Sequence, residues 1–504
     1  ITNLIDKLKE YTLTKAGKDK LDQLKPILSE RELKHELHET TEARIILDKL
    51  GLPPLISLEQ MHDILITANQ GGCLTPEQLE YVVLVLNSVR RLKDFLNRGK
   101  QLEVSLPYYE GQLKDLEYIS NEINEKIRGS KVDDFASKTL KNLRQEIERI
   151  DNKMRTKADS ILKNNKECFS DSFVTTRNGR ICLPVKKDFR FKISGSVIEK
   201  SSTGATLFVE PTGVGAMYDE LINLKLDAEN EERRILYLLT EMVIEEKEAF
   251  EENIRIIEKL DYIFAKGKLS YDMDGVEPTI CTHREIKIVK GRHPFIDGEK
   301  CVPLDFQIGG EVHGVIITGP NTGGKTVAIK TVGLLSIMAQ SGLHVPCEEG
   351  VFTMNSQVLC DIGDGQNITE NLSTFSAHIT NVLDILKHLN EQTLVIMDEL
   401  GSGTDPTEGM GIAIAVLEEL NKSKCFFVVT THYPEIKTYA QITNHIINAR
   451  MAFDRETLRP LYRLEIGEAG ESCALYIAKE LGMPSSMLKR AALAAYHTEE
   501  LDFI

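Results

Sequence analysis

The sequence predicts a multidomain protein with a helical core, long lever helices that carry a small antiparallel β clamp, and a C-terminal α/β domain. Three observations support this architecture. The chain has 504 residues, which is too many for one hydrophobic core. Two stretches with heptad spacing flank a segment in which polar and apolar residues alternate. Strand-like runs alternate with helical patterns after about residue 276.

Composition is typical of a cytoplasmic globular protein without a membrane partner. Charged residues make up 27% and hydrophobic residues 41% of the chain, and no apolar run approaches the roughly 20 residues of a membrane span. Ile1 opens into a polar helical stretch rather than a signal peptide. The nine cysteines are scattered singly, so we expect reduced thiols rather than zinc or disulfides. The net charge of −16 argues against nucleic-acid affinity over the whole surface, but not against a local basic patch.

Residues 1–108 are predicted to form the helical core. Apolar residues recur near helical spacing from Leu33 to Leu47, and a Gly-Leu-Pro-Pro segment at Gly51 interrupts the pattern. Pro76, directly after Thr75, is a helix-start signal. Nothing in this segment suggests catalysis.

The segments 109–166 and 213–270 are predicted to be the outgoing and returning lever helices. Apolar residues in the first are separated alternately by three and four positions, which is a heptad seam: Leu140, Leu143, Ile147, Ile150 and Met154. The second keeps a similar register, and one continuous helix from Gly213 to Lys266 would span roughly 80 Å. Several shorter helices are the alternative.

Residues 167–212 are predicted to form the β clamp. Asn178-Gly179 between two alternating runs is a strong hairpin signal. From Lys166 to Lys200 there are eight basic and four acidic residues. Such a patch can contact phosphates, or it can be an ordinary solvated sheet face. The candidate nucleic-acid contacts are Arg177, Arg180, Lys186, Lys187, Arg190 and Lys192.

A nucleotide site is predicted in the α/β domain, residues 276–504. An apolar strand from Val315 runs into Gly-x-x-x-x-Gly-Lys-Thr and then into a helical pattern, as a phosphate-binding loop requires. Glycines let backbone N–H groups face phosphate oxygens, Lys325 supplies a cation, and the Thr326 hydroxyl can bind Mg²⁺. ATP and Mg²⁺ are therefore the expected cofactors, held by Gly319, Pro320, Asn321, Thr322, Gly323, Gly324, Lys325 and Thr326.

Two further strand ends predict hydrolysis. The apolar run from Leu394 ends in Asp398-Glu399, 72 residues after Thr326. Asp398 is expected to hold the water shell of Mg²⁺, and Glu399 to polarise the attacking water. His432 follows another apolar strand and can sense the γ-phosphate or position the water. Glu399, His432 and Lys325 are therefore the predicted catalytic residues.

This order of motifs is that of ABC-class ATPases, and the details resemble the MutS family. The resemblance rests on Gly319-Pro-Asn-Thr-Gly-Gly-Lys-Thr, Ser373-Thr-Phe-Ser, Asp398-Glu-Leu-Gly-Ser-Gly-Thr-Asp and Thr431-His-Tyr. It implies a homodimer in which Ser373 reaches the γ-phosphate bound by the other subunit, with Asp405 at the same interface. Gln357 would match the family's glutamine loop, and the segment after Gly467 resembles its dimerisation helices.

The upstream half resembles the second bacterial branch of this family. The chain has no room for the mismatch-reading domain before the lever, and the letters of the mismatch wedge, Phe208-Val-Glu210, fall in a predicted clamp strand. Members of this branch commonly carry a C-terminal Smr nuclease domain. The sequence to Ile504 contains none, so nuclease activity is not expected from this chain.

The resemblance leaves two partners open. The clamp can hold branched or recombination-intermediate DNA during repair and recombination control. Alternatively, it can bind rRNA on collided ribosomes and use ATP to split their subunits. A structural ATPase of the chromosome-holding kind is disfavoured by the Ser-Thr-Phe motif and the short lever.

Overall fold

The computed structural model describes residues 1–319, 324–363, 371–454, 457, 459–468 and 474–496. These residues form two compact units. The first unit contains residues 1–53, 98–107 and 258–504, and the second contains residues 54–97 and 108–257. The predicted mixed helical and β multidomain class is confirmed. Of the helices described, none is long and apolar enough to cross a membrane.

Helices dominate the amino-terminal half of the sequence. In chain order the described α-helices are α1 (Thr2–Glu10), α2 (Lys15–Asp22), α3 (Glu30–Leu50), α4 (Glu59–Asn69), α5 (Pro76–Gly99), α6 (Glu117–Lys126), α7 (Lys138–Asn164), α8 (Thr212–Glu245), α9 (Lys247–Asp272), α10 (Lys325–Gln340), α11 (Asn371–Lys387), α12 (Pro406–Lys422), α13 (Pro434–Ile442), α14 (Ala474–Glu480) and α15 (Ser485–Tyr496).

The described strands are β1 (Ile127–Arg128), β2 (Lys131–Val132), β3 (Thr175–Arg177), β4 (Arg180–Lys186), β5 (Gly195–Lys200), β6 (Thr206–Pro211), β7 (Thr279–Cys281), β8 (Glu285–Gly291), β9 (Leu304–Gly309), β10 (Gly314–Thr318), β11 (Glu349–Thr353), β12 (Gln357–Asp361), β13 (Thr393–Met397), β14 (Phe426–Thr430), β15 (Ile446–Asp454) and β16 (Arg459–Ile466).

Two long helices, α7 and α8, pack against each other in the second unit. Ser137 caps the amino-terminal end of α7, since its side chain accepts a hydrogen bond from the Leu140 N–H. Of the predicted seam, Leu140, Ile150 and Met154 are buried. The segment predicted to return as a lever consists of two helices, since α8 ends at Glu245 and α9 begins at Lys247.

The second unit also contains a four-stranded antiparallel sheet with strand order β3-β4-β6-β5. The predicted Asn-Gly hairpin is confirmed: Asn178 and Gly179 have φ of +47° and +76° between paired Arg177 and Arg180. The buried face of the sheet packs on α7, where Leu183, Val185 and Val209 join one core with Ile150 and Met154.

A six-stranded sheet organises the first unit. Its strand order is β12-β13-β14-β10-β15-β16, and all strands are parallel except β16, which pairs antiparallel with β15. Every residue of β10, β13 and β14 is buried, as expected for strands covered on both faces. Since the carboxyl ends of parallel strands meet at one edge, the residues after these three strands lie close together. A second sheet has the order β7-β11-β8-β9.

Candidate functional site

The candidate nucleotide site lies at the carboxyl edge of β10, β13 and β14. Gly319, directly after β10, has φ of +140°, and Gly324, which precedes α10, has φ of +89°. Both are backbone conformations that favour glycine. Four predicted loop residues lie outside the described part of the chain: Pro320, Asn321, Thr322 and Gly323.

Lys325 is a buried cation at the start of α10. Its side chain is only 2% exposed, and its Nζ donates a hydrogen bond to the carbonyl oxygen of Gly319 at 2.7 Å. The Thr431 carbonyl oxygen lies 3.5 Å from the same Nζ. Burial lowers the pKa of Lys325, and the carboxylates of Glu399 and Asp398 oppose this shift. If phosphate binds at this edge, the Lys325 ammonium can replace its neutral carbonyl partners with charged phosphate oxygens, which form stronger hydrogen bonds.

Thr326 and Asp398 meet at the same edge. The Thr326 hydroxyl donates to Asp398 Oδ2 at 2.6 Å, and Oδ1 of the carboxylate accepts from the Thr430 hydroxyl. A hydroxyl beside a buried carboxylate is an oxygen ligand pair that suits Mg²⁺, which also uses water and substrate phosphates. The donor set therefore fits the predicted metal.

Glu399 begins the turn after β13. Its φ of +49° is unusual for a residue with a side chain. Its backbone N–H donates to Thr430 Oγ1 at 2.8 Å, and the next N–H, of Leu400, donates to the Thr430 carbonyl at 3.0 Å. Thr430 thus fixes the turn that carries the predicted base.

His432 lies after β14 and is exposed. Its ring centroid is 4.4 Å from that of Tyr433. The Tyr433 hydroxyl donates to the Gly401 carbonyl at 2.7 Å, which ties the segment carrying His432 to the turn carrying Glu399.

Two residues implied by the resemblance lie on helix starts. Asp405 is the N-cap residue directly before α12, and its carboxylate accepts from the N–H groups of Thr407 and Glu408 at 3.0 and 3.2 Å. Ser373 is in the first turn of α11, and its side chain lies outside the described part of the structure.

Gln357 lies apart from these residues. It is the first residue of β12 and pairs with Thr393, the first residue of β13. It therefore lies at the amino edge of the sheet, about 13 Å along the strand from the carboxyl end. Its amide donates to Thr393 Oγ1 at 3.1 Å and to the His388 carbonyl. A sequence motif without strand direction could not show this placement.

Asp361, which the sequence analysis did not select, occupies the carboxyl end of β12 instead. Its buried carboxylate accepts from Asn381 Nδ2 at 2.8 Å and lies 3.1 Å from His378 Nδ1. Its carbonyl accepts the Asp398 N–H at 2.9 Å. The available signal was an acidic residue ending a strand-like run, as at Asp398.

A cavity of about 200 Å³ adjoins the start of α10. Gly324, Val327, Met451, His293 and Tyr462 are among the residues that line it. Burial lowers the pKa of His293, which favours a neutral imidazole. An apolar, aromatic cavity beside a phosphate loop suits a planar base, and sequence reasoning had assigned no residue to that role.

The three arginines among the six predicted clamp cations are engaged within the sheet unit. The guanidinium of Arg177 pairs with Glu199 at 2.9 Å, and that of Arg180 pairs with Glu210 at 2.8 Å. Arg190 donates to two backbone carbonyl oxygens. The other three predicted cations are exposed lysines: Lys186, Lys187 and Lys192. Lys186 donates to the Glu167 carbonyl at 3.2 Å, and the Lys192 ammonium lies 3.8 Å from the Glu167 carboxylate.

Comparison with known proteins assigns the family. The family model described as MutS domain V matches residues 315–499. A protein named Endonuclease MutS2 from Clostridium botulinum (strain Eklund 17B / Type B) is 41% identical over 490 residues, which are 95% of this chain and 62% of that protein. Proteins of the same name from Clostridium beijerinckii and Bacillus velezensis are 40% and 36% identical over 98% of this chain, and 63% and 64% of their own lengths.

The chain belongs to the MutS family, in its MutS2-type branch. It spans less than two thirds of the length of the MutS2 relatives named above. The match to MutS domain V contains the strand ends β10, β13 and β14. The candidate nucleotide site of this MutS2-type chain therefore lies in the part that the family model covers.

Replacing Thr430 with valine tests how this edge is held. The near-isosteric Thr430→Val removes the hydroxyl that joins Asp398 to the Glu399 N–H, and leaves both polar groups without that partner. We expect the free energy of unfolding to fall by about 1–3 kcal/mol, with a lower thermal midpoint and slower ATP turnover. Thr380→Val, at an exposed helix position, is the control. An unchanged midpoint and rate would contradict the role given to Thr430.

Proposed function

We propose that this chain binds and hydrolyses ATP with Mg²⁺ at the carboxyl edge of β10, β13 and β14. The observation that carries the proposal is the 2.6 Å contact between Thr326 and Asp398, which are 72 residues apart in sequence. This contact supports the proposal because a hydroxyl and a carboxylate that suit a metal ion lie near the buried ammonium of Lys325. Phosphoryl transfer to water needs a phosphate loop, side chains that hold the metal ion, and a carboxylate that can act on the attacking water.

Each side chain then has a distinct task. Lys325 neutralises phosphate oxygens, and Thr326 with Asp398 orients the metal, which supplies charge stabilisation when bound. Glu399 accepts a proton from the attacking water, and His432 positions that water or contacts the γ-phosphate. The adenine base of ATP occupies the cavity beside Gly324.

The resemblance further supports a homodimer. In it, Ser373 of the second copy contacts the γ-phosphate from the start of α11, where a helix N-terminus favours an anion. Asp405 lies near the same interface in this proposal. ATP binding draws the two nucleotide sites together, and hydrolysis releases them.

We propose branched DNA as the partner of the four-stranded sheet. The support is the exposed lysine cluster, defined as Lys186, Lys187 and Lys192, in a protein whose net charge is −16. An excess of cations on one sheet of an acidic protein favours a phosphate backbone. The relatives are named endonucleases, and this name describes those longer proteins.

Charge reversal of the exposed lysine cluster tests the partner. The triple Lys→Glu variant at Lys186, Lys187 and Lys192 is expected to lose four-way-junction binding by at least about ten-fold, because phosphate contacts dominate affinity. Basal ATP turnover should stay at the wild-type rate. Arg190 is left intact because it holds backbone carbonyls. Binding is measured by fluorescence anisotropy at fixed salt.

The matched control reverses three other exposed lysines of the second unit: Lys131, Lys138 and Lys153. If both triple variants lose affinity equally, general charge rather than the sheet explains binding. If the lysine cluster variant binds junctions normally, the assignment of the sheet is wrong. If the wild-type protein binds collided ribosomes but not junctions, the partner is rRNA rather than DNA.

A further inference from the structure

We infer that Phe191 stacks on an unstacked base of the bound nucleic acid, so that the four-stranded sheet prefers strands with unpaired bases over continuous duplex. This inference rests on the proposed nucleic-acid function of the sheet. It adds a class of ligand, a nucleobase free of its helix, that the lysines alone would not select.

The first observation is the exposure of the ring. Phe191 is 98% exposed, more than any other large hydrophobic side chain in the described part of the chain. Single exposed apolar residues are common on protein surfaces and often have no role. The surroundings of Phe191 distinguish it from such residues.

The backbone that presents the ring is anchored on both sides. Phe191 lies in a 3-10 turn, Lys187–Lys192, between β4 and β5. The ring of Phe189 packs against the core of the unit, and Ile193 is buried in that core. Arg190 donates to the carbonyls of Ile193 and Gly195 at 3.0 and 2.6 Å. Because the backbone of the turn is already fixed, only the side-chain torsions of Phe191 need to be ordered on stacking, which limits the entropic cost.

The residues that flank Phe191 in sequence include several cations, and these favour a nucleic acid as the partner of the ring. The turn reads Lys187-Asp-Phe-Arg-Phe-Lys192, and Lys186 precedes it. Lys186, Lys187 and Lys192 are exposed. An aromatic ring between exposed cations is complementary to a base on a phosphate chain, which is how single strands are bound without sequence preference. In a continuous duplex the base faces are already stacked on each other, so the ring finds no free face there.

The experiment compares affinities for a single-stranded oligonucleotide carrying 2-aminopurine and for the same sequence as a blunt duplex. Phe191→Ala is expected to weaken single-strand binding by about ten-fold, since each base stacked on an aromatic side chain contributes strongly. It should leave duplex affinity within experimental error and abolish the fluorescence change of 2-aminopurine. Phe191→Trp should retain both signals, whereas Phe191→Leu should resemble alanine. Deoxyribose and ribose versions of the probe distinguish DNA from RNA.

The matched control is Phe135→Ala, which removes a ring that is 73% exposed elsewhere in the second unit. If Phe191→Ala binds the single strand as tightly as wild type does, the inference is overturned, and a protein becomes the class of partner for this ring. Equal weakening for single strand and duplex also overturns it. If the lysine cluster variant loses both probes while Phe191→Ala loses neither, the inference fails and the proposed function stands. If wild type binds neither probe, the inference fails, whereas the proposed function fails only if wild type also does not bind four-way junctions.

Discussion

The Lys325→Ala variant is expected to lose ATP turnover by about 100-fold or more, because the lost charge stabilises the phosphates throughout transfer. In the structure, the position of Lys325 suits a role in binding phosphate. Its ammonium is buried at the end of β10 and is held by the carbonyl oxygens of Gly319 and Thr431. No other side chain of the site described above carries a positive charge at that position. Turnover is measured by phosphate release at saturating Mg²⁺-ATP.

Two variants make the result specific. Lys387→Ala removes an exposed lysine from the last turn of α11 and should turn over ATP at the wild-type rate. Lys325→Arg should be nearly as inactive as alanine, since a guanidinium is larger and forked and does not reproduce a buried point charge. Full activity of Lys325→Ala, with an unchanged circular dichroism spectrum, would show that this edge is not the hydrolytic site.

The Glu399→Gln variant is expected to bind ATP with wild-type affinity and to hydrolyse it about 100-fold more slowly. Glutamine keeps the size of the side chain but cannot take a proton from water. The turn itself should persist, because it is held through the backbone N–H groups of Glu399 and Leu400 by Thr430. Binding and turnover are measured separately, with a fluorescent ATP analogue and by phosphate release.

Glu418→Gln, on the exposed face of α12, is the control and should be indistinguishable from wild type. Equal turnover of Glu399→Gln and wild type would exclude Glu399 as the base. A loss of ATP affinity comparable to that of Lys325→Ala would instead indicate a binding role.

Sequence reasoning was most successful where local pattern and strand direction agree. Apolar runs ending in glycine, Asp398 and Thr430 predict buried parallel strands, and the carboxyl ends of such strands necessarily meet. The 72-residue separation of Thr326 and Asp398 therefore did not hide their proximity. The hairpin at Asn178 was equally accessible, since two residues with positive φ require this chemistry.

The remaining features depend on long-range packing. Gln357 has the expected residue type but lies at the amino edge of β12, which depends on where the strand begins. Arg177 and Arg180 have the expected charge, yet their partners Glu199 and Glu210 come from neighbouring strands. The exposure of Phe191 could not be read from a pattern in which alternate residues are apolar. The cavity near Gly324 combines residues from distant segments.

The steady-state rate of ATP turnover, with and without four-way-junction DNA, tests the central claim most directly. The Lys325→Ala protein supplies the baseline. We predict that wild type turns over ATP well above this baseline and that junction DNA changes the rate, whereas the variant with the lysine cluster reversed keeps the basal rate without responding. A wild-type rate equal to that of Lys325→Ala, with and without DNA, would contradict the account.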